Sequence, residues 1–84
     1  MRHRATPDFW ECYDALPQEI RRKADKAFAQ LKANPRHRSL RFKKVGTFWS
    51  ARVDGSHRAL AVEDGGEIVW FWVGTHAAYE RLLT

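Results

Sequence analysis

A chain of 84 residues makes one small domain, residues 1–84, because a polypeptide of this length buries only about 60–65% of its unfolded surface and cannot sustain two cores. Hydrophobic residues form 44% of it and aromatics 13%, four tryptophans among them, which excludes a disordered segment. The net charge is +5, and the single cysteine, Cys12, excludes an intramolecular disulfide and a cysteine-based metal cage and fits a reducing cytoplasm.

The opening "MRHRATPDFW" lacks the apolar segment of a secretory signal. No run approaches the roughly 20 apolar residues of a membrane span, so a soluble, cytoplasmic protein with no membrane partner is expected. In "TPDFWECYDAL", Thr6 reads as an N-cap, Pro7 as the first helical residue, and Phe9, Tyr13 and Leu16 fall at helical spacing. Pro17 restarts a second helix with Ile20, Ala24, Phe28 and Leu31 on one face, ended by "NPR" at 34–36. These two helices predict a hairpin whose apolar faces cover a sheet.

Four strand-like runs then recur between turn signals. They are "LRFKKV", "FWSARV", "RALAVE" and "EIVWFWV", separated by Gly46-Thr47, Asp54-Gly55-Ser56 and Asp64-Gly65-Gly66. Alternation puts Leu40 and Phe42 opposite Arg41 and Lys43 in the first run, and Trp49, Ala51 and Val53 opposite Phe48, Ser50 and Arg52 in the second. The fourth run is apolar on both faces and belongs inside the sheet. Gly74 lets the chain bend, Thr75 caps, and His76 to Leu83 form a last short helix. The expected fold is α+β: an N-terminal helix hairpin packed on a small four-stranded, mainly antiparallel sheet, with a short C-terminal helix.

Charge is unevenly distributed along this framework. From Lys26 to Val53 there are eight bases (Lys26, Lys32, Arg36, Arg38, Arg41, Lys43, Lys44, Arg52) and no acids. Such a stretch suits an anionic partner, phosphate being the commonest; the plain alternative is a solvated basic face. Arg52 ends one strand, Arg58 opens the next, and His76 with Tyr79 stands just past the last. Lysine, arginine, histidine and tyrosine together supply what cleavage of an RNA phosphodiester needs without a metal: a base for the 2'-hydroxyl, charge stabilisation at phosphorus, and an acid for the departing 5'-oxygen. A helix N-terminus favours neutral imidazole at His76. A surface or capping histidine is the plain alternative there, and on spacing alone Tyr79 reads as core. His3, His37, His57 and His76 are scattered, and neither HExxH, a cysteine pair, a phosphate loop nor a Ser-His-acid pattern is present, so no metal or cofactor is expected.

The order of helix hairpin, "LRFKKVGTFWSARVDGSHRALAV" and "VWFWVGTHAAYERLL" resembles the RelE/ParE superfamily of bacterial toxins over about Pro7 to Leu83. The most specific part is Arg52 and Arg58 flanking a hairpin turn, preceded by Lys43-Lys44, Gly46 and Phe48-Trp49, with Gly74-Thr75-His76 as a strand ending of histidine-using relatives. The family's opening strand is reduced here to "RHRAT", and the chain ends at Thr84 without an extended catalytic tail. The resemblance implies a toxin held inactive by a cognate antitoxin. In the RelE branch it implies an endoribonuclease that cuts mRNA on the ribosome, touching DNA only through the antitoxin. The catalytic set it implies is His76, Arg52, Arg58, Lys43 and Tyr79; with the acid-free charge run, the expected RNA-binding set is Arg36, Arg38, Arg41, Lys43 and Lys44. The alternative within the family is a ParE-like toxin that inhibits DNA gyrase by binding alone, or an inactive member.

Overall fold

The computed structural model describes residues 2–84. In chain order it comprises β1 (Arg2–Ala5), α1 (Pro7–Asp14), α2 (Gln18–Ala33), a 3-10 turn (Arg38–Leu40), β2 (Lys43–Val45), β3 (Phe48–Asp54), β4 (His57–Asp64), β5 (Glu67–Thr75) and α3 (His76–Leu83). No helix among these is long and apolar enough to cross a membrane.

The fold is α+β as expected, but the sheet has five strands, ordered β1-β5-β4-β3-β2, where the sequence pattern suggested four. The added strand is the "RHRA" segment, which pairs parallel to β5 with Arg2 opposite Glu67 and Ala5 opposite Trp70. Four residues with two exposed arginines carry too little apolar signal to read as a strand. What holds them is the ladder, together with the Trp70 indole N–H donating to His3 Nδ1 at 3.1 Å. The sheet is therefore mixed.

A second correction concerns "LRFKKV". Only Lys43–Val45 is strand; Leu40 ends the 3-10 turn, and Arg41 turns left-handed at φ 45° and ψ 41°. Leu40 is 1% exposed, so the chain breaks the strand to bury it rather than continue a simple alternation.

The helix boundaries follow their capping chemistry. Thr6 Oγ1 accepts from the Phe9 N–H at 3.2 Å, with Pro7 at the first helical position, and Thr75 Oγ1 accepts from the Ala78 N–H at 3.2 Å. The two N-terminal helices lean on different strands, α1 on β5 and α2 on β3. Leu16, Leu31, Leu40, Ala51, Ala59, Ala61, Ile68, Trp70 and Val73 form the core beneath them. α3 lies against β4 and β5.

Because directly opposed residues share a face, the register assigns every strand side chain to one layer. Trp49, Ala61 and Trp70 make one row on the helix-covered face, and Ala51, Ala59 and Val73 make another. Lys43, Ser50, Leu60 and Trp72 form a row on the opposite face, followed by Arg52, Arg58 and Gly74. The register slips once in each of the last two pairings, with Val53 and Phe71 as the extra residues.

Gly74 is part of β5 rather than a bend. Its lack of a side chain is required because the Trp72 indole lies across it: a Cβ at position 74 would sit 2.6 Å from Trp72 Cζ2. Gly74→Ala should therefore destabilise the fold by about 1–3 kcal/mol in urea denaturation. On a Trp72→Ala background the same change should cost less than about 1 kcal/mol. Equal costs on both backgrounds would mean that the indole is not what excludes a side chain there.

Candidate active site

The face of the sheet away from α1 and α2 gathers the residues that carry chemistry. Arg52 and Arg58 stand directly opposite each other on β3 and β4, two like charges in one cross-strand pair. Such a pair opposes folding unless something holds it. Arg58 is held by main-chain oxygens, its Nη1 donating to Asp54 O at 2.6 Å and His57 O at 2.9 Å. Burial pushes the Arg58 guanidinium below its usual value. The neighbouring charges of Arg52 and Arg41 act in the same direction, while Tyr79 and Asp54 act against it. Arg41, which follows the 3-10 turn in a left-handed conformation, is thus felt at Arg58 as a further positive charge.

Tyr79 completes the centre. It is buried at 8% exposure, and its hydroxyl oxygen accepts from Ser50 Oγ at 3.0 Å; Ser50 is itself only 3% exposed. With Ser50 donating, the phenolic proton stays free for another acceptor. Sequence spacing suggested a core role for this tyrosine. It is buried, but its polar end is oriented by a buried serine on the arginine-bearing face.

His76 begins α3, and its main-chain N–H donates to Ser56 O at 2.7 Å, which ties the helix start to the β3–β4 turn. Its ring stacks on Tyr79 with centroids 5.7 Å apart at 29°, while Nε2 lies 3.2 Å from Glu80 Oε1. A carboxylate only accepts, so Nε2 carries hydrogen in this pairing and Nδ1 is the nitrogen left for proton exchange. The side chain is 44% exposed, at the edge of the cluster rather than its centre.

The two lysines of β2 part company. Lys43 is opposite Ser50 and shares the arginine face, whereas Lys44 is opposite Trp49 and shares the face covered by α1 and α2. Arg36 and Arg38 are exposed in and before the 3-10 turn, without hydrogen bonds from their side chains to the cluster. Among the described residues no group of three or more His, Cys, Asp or Glu is placed to share a metal ion.

Sequence reading missed three supporting residues. Ser50 passed as an ordinary strand position, Asp54 as a turn residue, and His57 as one of four scattered histidines. Asp54 Oδ1 accepts from the Ser56 N–H at 2.8 Å and from His57 Nδ1 at 3.0 Å, and Oδ2 accepts from Lys23 Nζ at 3.4 Å. The register implied by the two-residue Gly46-Thr47 turn, with Val45 opposite Phe48, already sets Ser50 opposite Lys43.

Comparison with known proteins settles the family. The ParE-like toxin domain model matches residues 18–81. The chain belongs to the ParE-like toxin domain family, within the RelE/ParE superfamily. A search of curated proteins finds no match to the sequence. Among solved structures, the RelB-RelE antitoxin-toxin complex from Methanococcus jannaschii superposes with a TM-score of 0.72 at 15% identity, covering 95% of this chain and 98% of that one. YafQ from E. coli gives 0.73 at 14% identity, covering 94% and 98%. The RelBE2 toxin-antitoxin complex from Mycobacterium tuberculosis gives 0.65 at 24% identity, covering 89% and 96%. At these identities the likeness establishes a shared ParE/RelE fold.

Burial alone would raise the Asp54 carboxyl, but the hydrogen bonds from Ser56, His57 and Lys23 outweigh it, and the net direction is below the ordinary aspartate value of 3.8. A carboxyl lowered in the folded state adds stability that is complete above that unfolded value and is lost as pH falls beneath it. Asp54→Asn should therefore lower the urea midpoint at pH 7 and flatten the loss of stability below about pH 4. An unchanged midpoint with an unchanged acid limb would show that the turn is held without this carboxylate.

Proposed function

We propose that this chain is the toxin of a toxin-antitoxin module and acts as an endoribonuclease on mRNA, on the ribosome, by attack of the substrate's own 2'-hydroxyl. The observation that carries the reading is the opposed Arg52–Arg58 pair with the Tyr79 hydroxyl set on the same face by buried Ser50. Arg58, Arg52 and Arg41 bind the scissile phosphate and stabilise the charge that develops on its equatorial oxygens. Tyr79, whose proton is free while Ser50 donates to its oxygen, protonates the departing 5'-oxygen. His76 accepts the 2'-hydroxyl proton through Nδ1. Lys43, on the same face, and Arg36 and Arg38, before it in the chain, track the flanking phosphates. A cognate antitoxin holds the toxin inactive; the RelB-RelE complex from Methanococcus jannaschii is a structural relative crystallised with its antitoxin.

A second reading has its own support in the family description, which is ParE-like. On that reading the same cationic face binds a protein, and DNA gyrase is inhibited without RNA cleavage. The two separate in one comparison: a purified translation system that reports mRNA cleavage, beside a gyrase supercoiling assay. Cleavage leaving a 2',3'-cyclic phosphate is expected; gyrase inhibition with intact mRNA would select the second reading.

Variants sharpen the nuclease reading. Tyr79→Phe and His76→Gln should each lower cleavage by about 10²- to 10⁴-fold while the protein stays folded. Full-rate cleavage by either variant removes that residue from proton transfer. Lys43→Gln should reduce the salt slope of RNA binding by about 0.7–0.9, whereas Lys44→Gln, on the opposite face, should leave it unchanged. Equal effects of the two lysines would mean that RNA does not distinguish the faces of β2.

A further inference from the structure

β1 closes the edge of the sheet farthest from β2, covering β5 from Glu67 to Trp70. Its exposed Arg4 meets Asp64 at 3.3 Å and Glu67 at 3.7 Å, surface ion pairs of the kind that contribute little. The half-buried side chains are His3 and Ala5, so His3 is the one large group with which β1 grips the interior.

The grip works in one protonation state only. Trp70 is 5% exposed, and its indole N–H, which can only donate, points at His3 Nδ1 from 3.1 Å. His3 therefore keeps Nδ1 bare and carries its hydrogen on Nε2. A second proton would set N–H against N–H and leave the buried indole without an acceptor. The ring is otherwise enclosed by aromatic surface, lying near-parallel to Trp70 with centroids 6.2 Å apart and edge-on to Phe28 of α2 at 5.8 Å.

The charges around the ring offer a second proton no support. From α2, Lys32 stands over the Phe28 ring at 4.7 Å, and Asp25 accepts from the Tyr13 hydroxyl at 2.7 Å. From β5, Glu67 is turned to Arg4 of β1 itself, α1 contributes uncharged Phe9 and Trp10, and β3 contributes Arg52 to the cavity that His3 lines. Among the described residues no carboxylate lies within ion-pair distance of His3. Burial first, then the amino-terminal and Lys32 charges, holds the ring below its ordinary value of 6.5.

We infer that His3 is an acid-released latch: protonation of its ring detaches β1 and opens both the β5 edge and the apolar cavity that β1 walls. Detachment stops at Thr6, whose N–H donates to Trp70 O at 2.9 Å where α1 begins. Trp70 stays in place because it belongs to the core cluster, so the four residues of β1 are what give way. The cavity, of about 270 Å³, then loses the wall formed by His3, Arg4 and Ala5 and is left lined by Phe9, Phe28 and Leu31. Because the neutral ring is favoured while β1 is docked, the latch holds fully above pH 6.5 and weakens as pH falls below it, the open fraction rising by at most about 10-fold per pH unit. The inference is independent of the nuclease reading, since β1 lies three strands from Arg52.

The test is hydrogen exchange of the full chain at pH 7.5 and 5.5, expressed as protection factors so that intrinsic exchange rates cancel. Protection of the β1 amides in the ladder should fall several-fold at pH 5.5, while that of β3 and β4 amides holds. An apolar-surface dye should brighten over the same range. His3→Asn places a carbonyl oxygen where Nδ1 stood, an acceptor that does not titrate, and should keep β1 protected and the dye dark at both pH values. His3→Leu supplies no acceptor and should leave β1 poorly protected at both. A His3 ring that titrates with β1 protection unchanged, an equal fall in His3→Asn, or a fall shared by the whole sheet would each overturn the latch.

Discussion

The turn between β3 and β4 is the constraint on which the rest of the candidate site depends. Asp54 gathers the Ser56 N–H, the His57 ring and the Lys23 ammonium through its carboxylate, and its main-chain oxygen receives Arg58. Ser56 then passes its own carbonyl to the His76 N–H at 2.7 Å. One four-residue corner thereby fixes α2 to the sheet, aims an arginine and starts the helix that carries His76 and Tyr79. The carboxylate stays ionised near neutral pH because each of its partners donates, so the corner is rigid under the conditions in which the site would work.

That rigidity answers an energetic problem posed by the ladder itself. Opposing Arg52 to Arg58 disfavours the sheet, and burial adds to the cost by disfavouring charge on Arg58. Two main-chain carbonyls and the nearby Asp54 offset the cost locally. Arg41 adds a third positive charge from a left-handed residue, a conformation that costs a non-glycine about 1–2 kcal/mol. Arg52 and Arg58 are held together where folding alone would separate them. A region that concentrates positive potential against its own stability is suited to an anion that gains charge as it reacts, as a phosphodiester does at its transition state.

Much of this was legible in the sequence because hairpins count residues. Gly46-Thr47, Gly55-Ser56 and Gly65-Gly66 sit at the turns, and from the first of these alone the opposition of Lys43 to Ser50 follows. The acid-free run from Lys26 to Val53, and Arg52 and Arg58 flanking one turn, pointed to the cationic face. Other features depend on contacts that no local pattern encodes. β1 is a strand because β5 accepts it in parallel, not because "RHRA" prefers to be one. Leu40 leaves the strand because the core has a place for it. The slip at Phe71 falls in a run so uniformly apolar that either register reads equally well, and only packing chooses. Ser50 becomes informative once α3 crosses the sheet and lowers Tyr79 onto it.

On the nuclease reading proposed above, position divides the chemical work between Tyr79 and His76, neighbours on one helix turn. Both lie on α3, three residues apart and in stacking contact. Tyr79 turns its hydroxyl to a buried serine, which donates to the phenolic oxygen and leaves the phenolic proton for another acceptor. His76 remains half in solvent, with one nitrogen occupied by Glu80 and the other open. A fixed donor suits the step in which a leaving oxygen must be met at a defined point. An exposed ring that can exchange protons with water suits the step that is reset after every turnover. On that reading the buried residue would act through geometry and the exposed one through access. Ser50, buried and donating to the Tyr79 oxygen, is the side chain that would make the first of these possible.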